Sequence, residues 1–298
     1  MIVDAHHHFW KPTRGDYGWL RPGVPTLAPL LRDFLPADYP GEAIRAGVAQ
    51  TILVQAAPSD AETDFLLELA DATPMVAGVV GWCDLADPAS AMRIATLARR
   101  PKFKGVRPML QDLPDVGWIA TRPAREAVAA LTDHGLRFDA LVRGEHLPAL
   151  IDFVDAHPCL PVVVDHAAKP PFGAAATSEE WARWDRGLAA LAARPRVHCK
   201  VSGLPTEMPA ALLRDPAATR AALHDVARRL LALFGPSRLM WGSDWPVSLL
   251  ATDYGAWLAL AQGAFAALPA EAKADIFGDT ARRFYGLAER SPADGRAE

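Results

Sequence analysis

Eight short apolar segments, rich in Val, Ile and Leu, recur along the chain and alternate with segments of helical periodicity. Apolar runs that do not alternate with polar residues predict strands buried on both faces, as in a parallel sheet covered by helices. The predicted strands span 2–5, 51–55, 76–82, 103–107, 137–142, 161–166, 197–201 and 238–244. Their number and the length of 298 residues predict a (β/α)₈ barrel. An open doubly wound sheet is the alternative, although histidines rather than a glycine-rich phosphate loop follow the first strand.

Capping residues mark several helix starts between these strands. Ser59 and Glu62 form an S-x-x-E capping box, and Thr177 with Glu180 forms a second candidate. Asp87 followed by a proline predicts a helix with Asp87 as its N-cap. These signals support the alternation of strands and helices.

We expect a single barrel domain over 1–288, because no linker-like stretch divides the chain. The segment 10–41 is rich in Pro and Gly and too irregular for a helix or a strand. Because it follows the first strand directly, it forms either a wall or lid of a pocket or a surface arm held by its aromatic residues. The polar tail 289–298 is expected to be disordered.

Composition narrows the class of partner. The net charge is −4 and there is no basic block, so nucleic acid is not an expected partner. No apolar run approaches the ~18 residues of a membrane span, and no secretory signal is recognisable. Cys83, Cys159 and Cys199 are widely spaced, so we expect buried, free thiols and a cytoplasmic protein acting on a small molecule. The sequence indicates no particular oligomeric state.

Three consecutive histidines follow the first predicted strand. Because side chains alternate along a strand, His6 and His8 face one side, roughly 7 Å apart, and His7 faces the other. Two imidazoles on one face can hold one metal ion or one reacting group. A solvated strand end or a tag remnant is the alternative, although three histidines within a strand pattern make a poor tag.

Polar side chains also end four later strands. In a barrel, reactive residues gather at the C-terminal ends of the strands. Buried charges need partners, so this recurrence indicates a site rather than packing alone. Three imidazoles and a carboxylate suit a transition metal such as zinc. The residues at these later ends are Arg107, His166 with Lys169 beyond it, Lys200 and Asp244.

Five segments, in chain order, carry a family resemblance: DAHHHFW at 4–10, GVR at 105–107, DHAAKP at 165–170, KVSGL at 200–204 and WGSDWP at 241–246. They are similar to the amidohydrolase superfamily, within it to the amidohydrolase-related branch that contains sugar-acid lactonases. The resemblance implies a (β/α)₈ barrel with one divalent metal, such as Zn²⁺. The ligands that it implies are His6, His8, His166 and Asp244.

The chain departs from the two-metal members of that superfamily. Arg107 stands at the strand-four position where those members carry a bridging lysine or a glutamate, and strand five has no histidine. This argues against a binuclear site. Some lactonases of the branch work without a metal, so catalysis without any ion is the second possibility.

The resemblance implies a hydrolase that opens a small sugar-acid lactone such as L-fuconolactone. Asp244 is expected to take a proton from water and return it to the leaving alkoxide. Without a metal, the histidines and Arg107 would donate hydrogen bonds to the oxyanion. Expected substrate contacts are Lys200, Lys169, Gln111, Trp245 and Trp10.

Three alternatives stay open. A dicarboxylate or sulfo-lactone hydrolase of aromatic catabolism would need several arginines in the pocket, and only Arg107 and Arg143 are evident. A metal-dependent decarboxylase or amidase could use the same scaffold. A sugar-acid binding protein without catalysis is the non-enzyme alternative, and the intact set of histidines with Asp244 argues against it.

Overall fold

A computed structural model describes residues 1–173 and 176–288. Eight strands form one parallel sheet in the order of the chain. The strands are β1 Ile2–His7, β2 Val48–Val54, β3 Val76–Gly81, β4 Phe103–Val106, β5 Arg137–Ala140, β6 Val162–Val164, β7 Val197–Val201 and β8 Leu239–Trp241.

The sheet closes where the exits of β8 and β1 meet. The amide of Asp244 donates to the carbonyl of His6 at 2.7 Å, and the amide of His8 donates to the carbonyl of Trp245 at 2.7 Å. An open doubly wound sheet would leave these two strands on separate edges. The predicted (β/α)₈ barrel is therefore confirmed and the doubly wound alternative is wrong.

Helices cover the outside of the barrel. They are α1 Gly41–Arg45, α2 Asp60–Ala72, α3 Ser90–Leu97, α4 Trp118–Thr121, α5 Arg125–Asp133, α6 Leu147–Ala156, α7 Ser178–Ala192, α8 Ala210–Leu213, α9 Pro216–Phe234, α10 Tyr254–Ala264, α11 Ala270–Ala274 and α12 Thr280–Tyr285. The helices that follow β2 to β7 and cross to the next strand are α2, α3, α5, α6, α7 and α9.

Of the three predicted helix N-caps, two are present in the structure and one is not. The box of Thr177 and Glu180 is complete at the start of α7. Ser59 caps α2 by accepting from the amide of Glu62, but the Glu62 carboxylate turns away and accepts the amides of Ala56 and Ala57 after β2. The prediction for Asp87 was wrong, because α3 begins three residues later at Ser90 and the Asp87 side chain caps only a turn.

The segment 10–41 folds onto the mouth of the barrel through short 3₁₀ turns. Trp10 and Phe34 exchange backbone hydrogen bonds of 2.9 Å, and both side chains are buried. Trp19 is only half-buried, and its indole N–H donates to the carbonyl of Ala56 at 2.8 Å. Both predicted roles of this segment therefore occur, since it is anchored by aromatic side chains and also supplies a cavity wall. The predicted tail 289–298 lies outside the described residues.

The three thiols are free. Cys83 and Cys199 are buried as expected, but Cys159 is exposed, so that part of the prediction was wrong. Over 1–173 and 176–288, none of the helices is long and apolar enough to pass through a bilayer.

Candidate active site

The carboxylate of Asp244 stands among three imidazoles at the C-terminal end of the barrel. Its Oδ1 lies 3.3 Å from Nε2 of His8, 3.7 Å from Nε2 of His6 and 3.9 Å from Nε2 of His166. All four side chains are at least nine-tenths buried. The structure therefore brings these four residues together, although His6 and Asp244 are 238 positions apart in the sequence.

Backbone geometry aims these side chains. His166 has a φ of 52° and Asp244 a φ of 56°, so both lie in the left-handed region that non-glycine residues seldom adopt. Gly203 passes so close that a Cβ there would lie 2.6 Å from Nδ1 of His166 and 2.9 Å from Oδ2 of Asp244. A glycine is required at this position, both for space and because its own φ is +60°.

Asp4 ties together the two strand exits that carry the site. Its Oδ1 accepts the amide of Ser243 at 2.8 Å and the amide of His6 at 3.2 Å. Its Oδ2 accepts the hydroxyls of Tyr39 at 2.8 Å and Tyr254 at 3.1 Å. The buried carboxylate thus fixes the backbone on both sides of the barrel seam.

The hydrogen bonds of His8 define its tautomer. Nδ1 lies 2.8 Å from the carbonyl of Val54, which can only accept, so Nδ1 carries the proton. In the neutral ring, the lone pair of Nε2 then points at Oδ1 of Asp244, a second acceptor 3.3 Å away. Two acceptors at this distance need a shared cation, either a proton or a metal ion.

The electrostatics hold Asp244 ionised and His166 neutral. Burial acts to raise the pKa of Asp244, but His166, His8 and Lys169 outweigh it and hold that pKa below its usual value. Burial lowers the pKa of His166 to about 4, and its Nδ1 lies 2.9 Å from the hydroxyl of Ser202. At neutral pH the site therefore contains a carboxylate base beside an uncharged imidazole.

Arg107 is held at the edge of this cluster. Its Nη1 lies 3.3 Å from Nε2 of His6 and 3.3 Å from Oδ2 of Asp165. Its Nη2 donates to the carbonyl of Gln55, whose amide donates back to the carbonyl of Arg107 at 2.5 Å. A guanidinium can only donate, so it directs fixed positive charge toward the histidines and Asp244.

Lys200 lies beneath the cluster rather than in the pocket. Its Nζ lies 2.5 Å from Oδ2 of Asp139, 3.0 Å from Oδ1 of Asp165 and 3.2 Å from Nδ1 of His6. The side chain has no exposed surface. The expected contact between Lys200 and a sugar hydroxyl was wrong, because Lys200 serves to compensate two buried carboxylates.

Lys200, Asp139, Asp165 and His6 form a lower cluster, in which burial and neighbouring charges shift the pKa values of the carboxylates in opposite directions. Burial acts to raise the pKa of Asp165, but Lys200, His6 and Arg107 hold it well below the usual value. Burial raises the pKa of Asp139 to about 6 despite Lys200. The pKa of His6 is well below its usual value because of burial and the nearby Lys200.

A cavity of about 160 Å³ opens onto Asp244. Gln111 and Lys169 line it, where a substrate contact was expected, and Lys169 also pairs with Glu207 at 2.8 Å. The lining residues are His8, Trp19, Ala56, Arg107, Met109, Gln111, Asp112, Leu141, His166, Lys169, Thr206, Asp244 and Val247.

Two tryptophans expected at the substrate do not line this cavity. Trp10 and Trp245 are buried, and each packs against Phe34 with a ring-centroid distance of 5.3 Å. The predicted contacts of Trp10 and Trp245 were wrong, because both rings are used to hold the 10–41 segment against the barrel. Trp19, which sequence reasoning did not select, lines the cavity instead.

Other residues of the site were also missed. Asp165 directly precedes His166 in the sequence, and its carboxylate faces Lys200 and Arg107. Ser202 and Glu207 hold His166 and Lys169, and both occur in or next to the KVSGL segment. The sequence signal that could have identified them is their position next to residues already predicted for the site.

Two overlapping triads in the described chain bring ligand atoms within 4.8 Å of one another: His6, His8 and Asp244, and His6, Asp165 and His166. In the second triad, the oxygens of Asp165 already face Lys200 and Arg107. The first triad has no such cation on its carboxylate, and the facing acceptors of His8 and Asp244 fit a divalent ion. A single metal therefore fits the triad of His6, His8 and Asp244. His166 belongs to the second triad and not to this one.

Comparison with known proteins agrees with this architecture. The model of the amidohydrolase family matches residues 3–287, so the chain belongs to that family, as its motifs predicted. It is 44% identical to L-fucono-1,5-lactonase of Burkholderia ambifaria, over 99% of both chains. It is 38% identical to L-fucono-1,5-lactonase of Burkholderia multivorans, again over 99% of both.

Solved structures show the same fold. An amidohydrolase from Burkholderia multivorans with bound HEPES superposes with a TM-score of 0.89 at 36% identity, covering 97% of this chain and 100% of the other. A crystal structure of an amidohydrolase from Burkholderia multivorans with bound zinc gives a TM-score of 0.87 at 35% identity, with the same coverage.

Proposed function

We propose that this protein hydrolyses a small sugar-acid lactone, such as L-fucono-1,5-lactone, by attack of water on the lactone carbonyl. The observation that carries the proposal is the ionised Asp244 among three imidazoles at a small cavity. Two relatives that match the full length of the chain and bear this name support the substrate class.

Asp244 is the general base in this mechanism. Its pKa lies below the usual range, so it is ready to accept a proton from water at neutral pH. The water oxygen bonds to the carbonyl carbon, the ring C–O bond breaks, and Asp244 returns the proton to the alkoxide. A positioned general base typically contributes ~10²–10⁴-fold to the rate.

Arg107 supplies the positive charge that the reaction requires. Arg107 lines the cavity, and its guanidinium is fixed by Gln55 and Asp165. Fixed donors stabilise a developing oxyanion without reorganising during the reaction. Gln111 and Lys169 line the same cavity and are placed to accept and donate hydrogen bonds to sugar hydroxyls.

His6, His8 and Asp244 would hold a divalent metal such as Zn²⁺. A bound ion would lower the pKa of a coordinated water and polarise the carbonyl. Both catalysis with this ion and catalysis without it use the same Asp244 and Arg107. We place the reaction in the cytoplasm, in keeping with three free thiols.

The test is a pH-indicator assay with L-fucono-1,5-lactone and other aldonolactones, with and without a chelator. Enzyme-dependent acid release is expected, and an unchanged rate after complete metal removal would exclude the zinc version while keeping the lactonase. No ring opening above the spontaneous rate for any lactone would overturn the proposal and favour a decarboxylase or amidase.

A further inference from the structure

A second cavity, which we call the tryptophan chamber, adjoins the catalytic cavity at the exits of β3 and β4. Its volume is about 600 Å³. Trp19, Met109 and Asp112 line both spaces and form the boundary between them. The chamber therefore lies within reach of a substrate bound at Asp244, and the mechanism above gives it no role.

The sizes of the two cavities indicate how a substrate would use them. Cavities that bind small molecules are typically about 300–1,000 Å³. The catalytic cavity, at about 160 Å³, falls below this range, whereas the chamber, at about 600 Å³, falls within it. A lactone ring alone is large enough to fill the catalytic cavity, and only a substituent on that ring would extend into the tryptophan chamber.

The chamber walls are mainly apolar. Trp82 follows β3 directly and Trp118 begins α4, and both are half-buried against the chamber. Leu85 and Leu113 complete the apolar surface. Burying a methylene group against such a surface contributes ~0.8 kcal/mol, which corresponds to a factor of about four in affinity.

Charge limits what the chamber can accept. The carboxylates of Asp84 and Asp112 are exposed at the chamber, and within the described chain no lysine or arginine lines it. An anionic substituent would be repelled, and an uncharged one would not. Met109, an unbranched side chain that adapts its shape, stands at the boundary where such a substituent must pass.

We propose that the enzyme also hydrolyses five- or six-membered lactones that carry an uncharged alkyl or aryl substituent, with the ring at Asp244 and the substituent in the tryptophan chamber. This inference rests on the proposed lactonase function. The substituent takes no part in the reaction: the ring C–O bond breaks, the water oxygen bonds to the carbonyl carbon, and the alkoxide takes the proton.

The experiment measures kcat/KM for δ-lactones whose alkyl substituent grows from methyl to heptyl, with L-fucono-1,5-lactone as reference. We expect kcat/KM to rise about 2- to 4-fold with each added methylene until the chamber is filled. A flat or falling series alongside turnover of L-fucono-1,5-lactone overturns this inference and leaves the sugar lactonase intact. No turnover of any lactone overturns both proposals.

Leu113→Asp tests whether the chamber causes the rise. This partly exposed residue lines the chamber but not the catalytic cavity. The substitution should reduce the gain per methylene to less than 1.5-fold, while kcat/KM for L-fucono-1,5-lactone stays within about 2-fold, since a charge in the chamber cancels the burial of apolar groups. Ile44→Asp, at an exposed position of α1, is the matched control and should leave the series unchanged. A chain-length series unaffected by Leu113→Asp would overturn the assignment of the chamber.

Discussion

Two layers of polar residues lie one above the other in the mouth of the barrel, and they differ in how completely their charges are compensated. In the upper layer, Asp244 faces the nitrogens of His8 and His166 beside an open cavity. In the lower layer, Lys200 lies within 3.0 Å of Asp139 and Asp165, with no exposed surface. Similar residue types thus form an open site above, which we propose to be catalytic, and a closed ion cluster below.

His6 belongs to both layers. Its Nε2 lies 3.7 Å from Asp244 in the upper layer, and its Nδ1 lies 3.2 Å from Lys200 in the lower one. The lower ion cluster thereby fixes a ring that the upper layer uses. A buried ion cluster need not add net stability compared with an apolar core, but removing one of its members leaves an uncompensated charge.

Asp244→Asn should give the largest effect and should act on activity alone. The amide matches the carboxylate in shape but cannot accept the proton of water, so we expect kcat to fall by ~10²–10⁴-fold. Steady-state kinetics and urea unfolding of the same preparation measure both properties. Activity within tenfold of the wild type would refute the role of Asp244 as base.

Lys200→Met should show the opposite pattern, in which the main effect is a lower free energy of unfolding. Asp139 and Asp165 would remain buried without their shared cation, so the free energy of unfolding should fall by ~3–5 kcal/mol. Urea unfolding measures this change. Adding Asp139→Asn to Lys200→Met should recover part of it. A single variant within about 1 kcal/mol of the wild type would show that the lower layer is not a compensated cluster.

Tyr285→Phe probes the lower layer more gently. The hydroxyl donates to Oδ2 of Asp139 at 2.7 Å, and both groups are buried. A hydrogen bond to a charged partner contributes ~1.5–3 kcal/mol, so unfolding should become easier by about that amount. The value of kcat should stay within about threefold of the wild type. A large loss of kcat with unchanged stability would place Tyr285 functionally in the upper layer.

The pH profile of activity should show the smallest change. His166 has a pKa of about 4 and Asp244 a pKa below its usual value, so neither changes charge between pH 5 and 8. In the presence of a chelator, kcat/KM for L-fucono-1,5-lactone should lose nothing to protonation of His166 or Asp244 over that range, and should fall as the pH approaches 4. A titration of the His166 ring near pH 6.5, followed by NMR, would contradict the neutral state of the buried imidazole.

Stability should respond to pH in the same region with a definite sign. The pKa of His166 in the fold lies below the ordinary 6.5 of the unfolded chain. The unfolded chain therefore takes up this proton first, and the stability due to His166 is lost as the pH falls from 6.5 toward 4. Urea midpoints at pH 7, 6 and 5 should decrease in that order.

The sequence by itself determined the barrel and the residues that meet at its mouth. Parallel strands buried on both faces produce apolar runs that local periodicity detects. Polar residues at the ends of such strands must converge once the barrel closes. This reasoning placed His6, His8, His166 and Asp244 together, although they lie far apart along the chain.

Only the tertiary structure decided which of two similar side chains reaches the cavity. Lys200 lies inside β7 and points into the barrel, whereas Lys169 lies in the turn beyond β6 and lines the cavity. Likewise Trp10 is buried and Trp19 lines the wall. Residue type is the same within each pair and does not separate its members. Height along the barrel axis and the path of a long loop separate them, and both depend on contacts between distant parts of the chain.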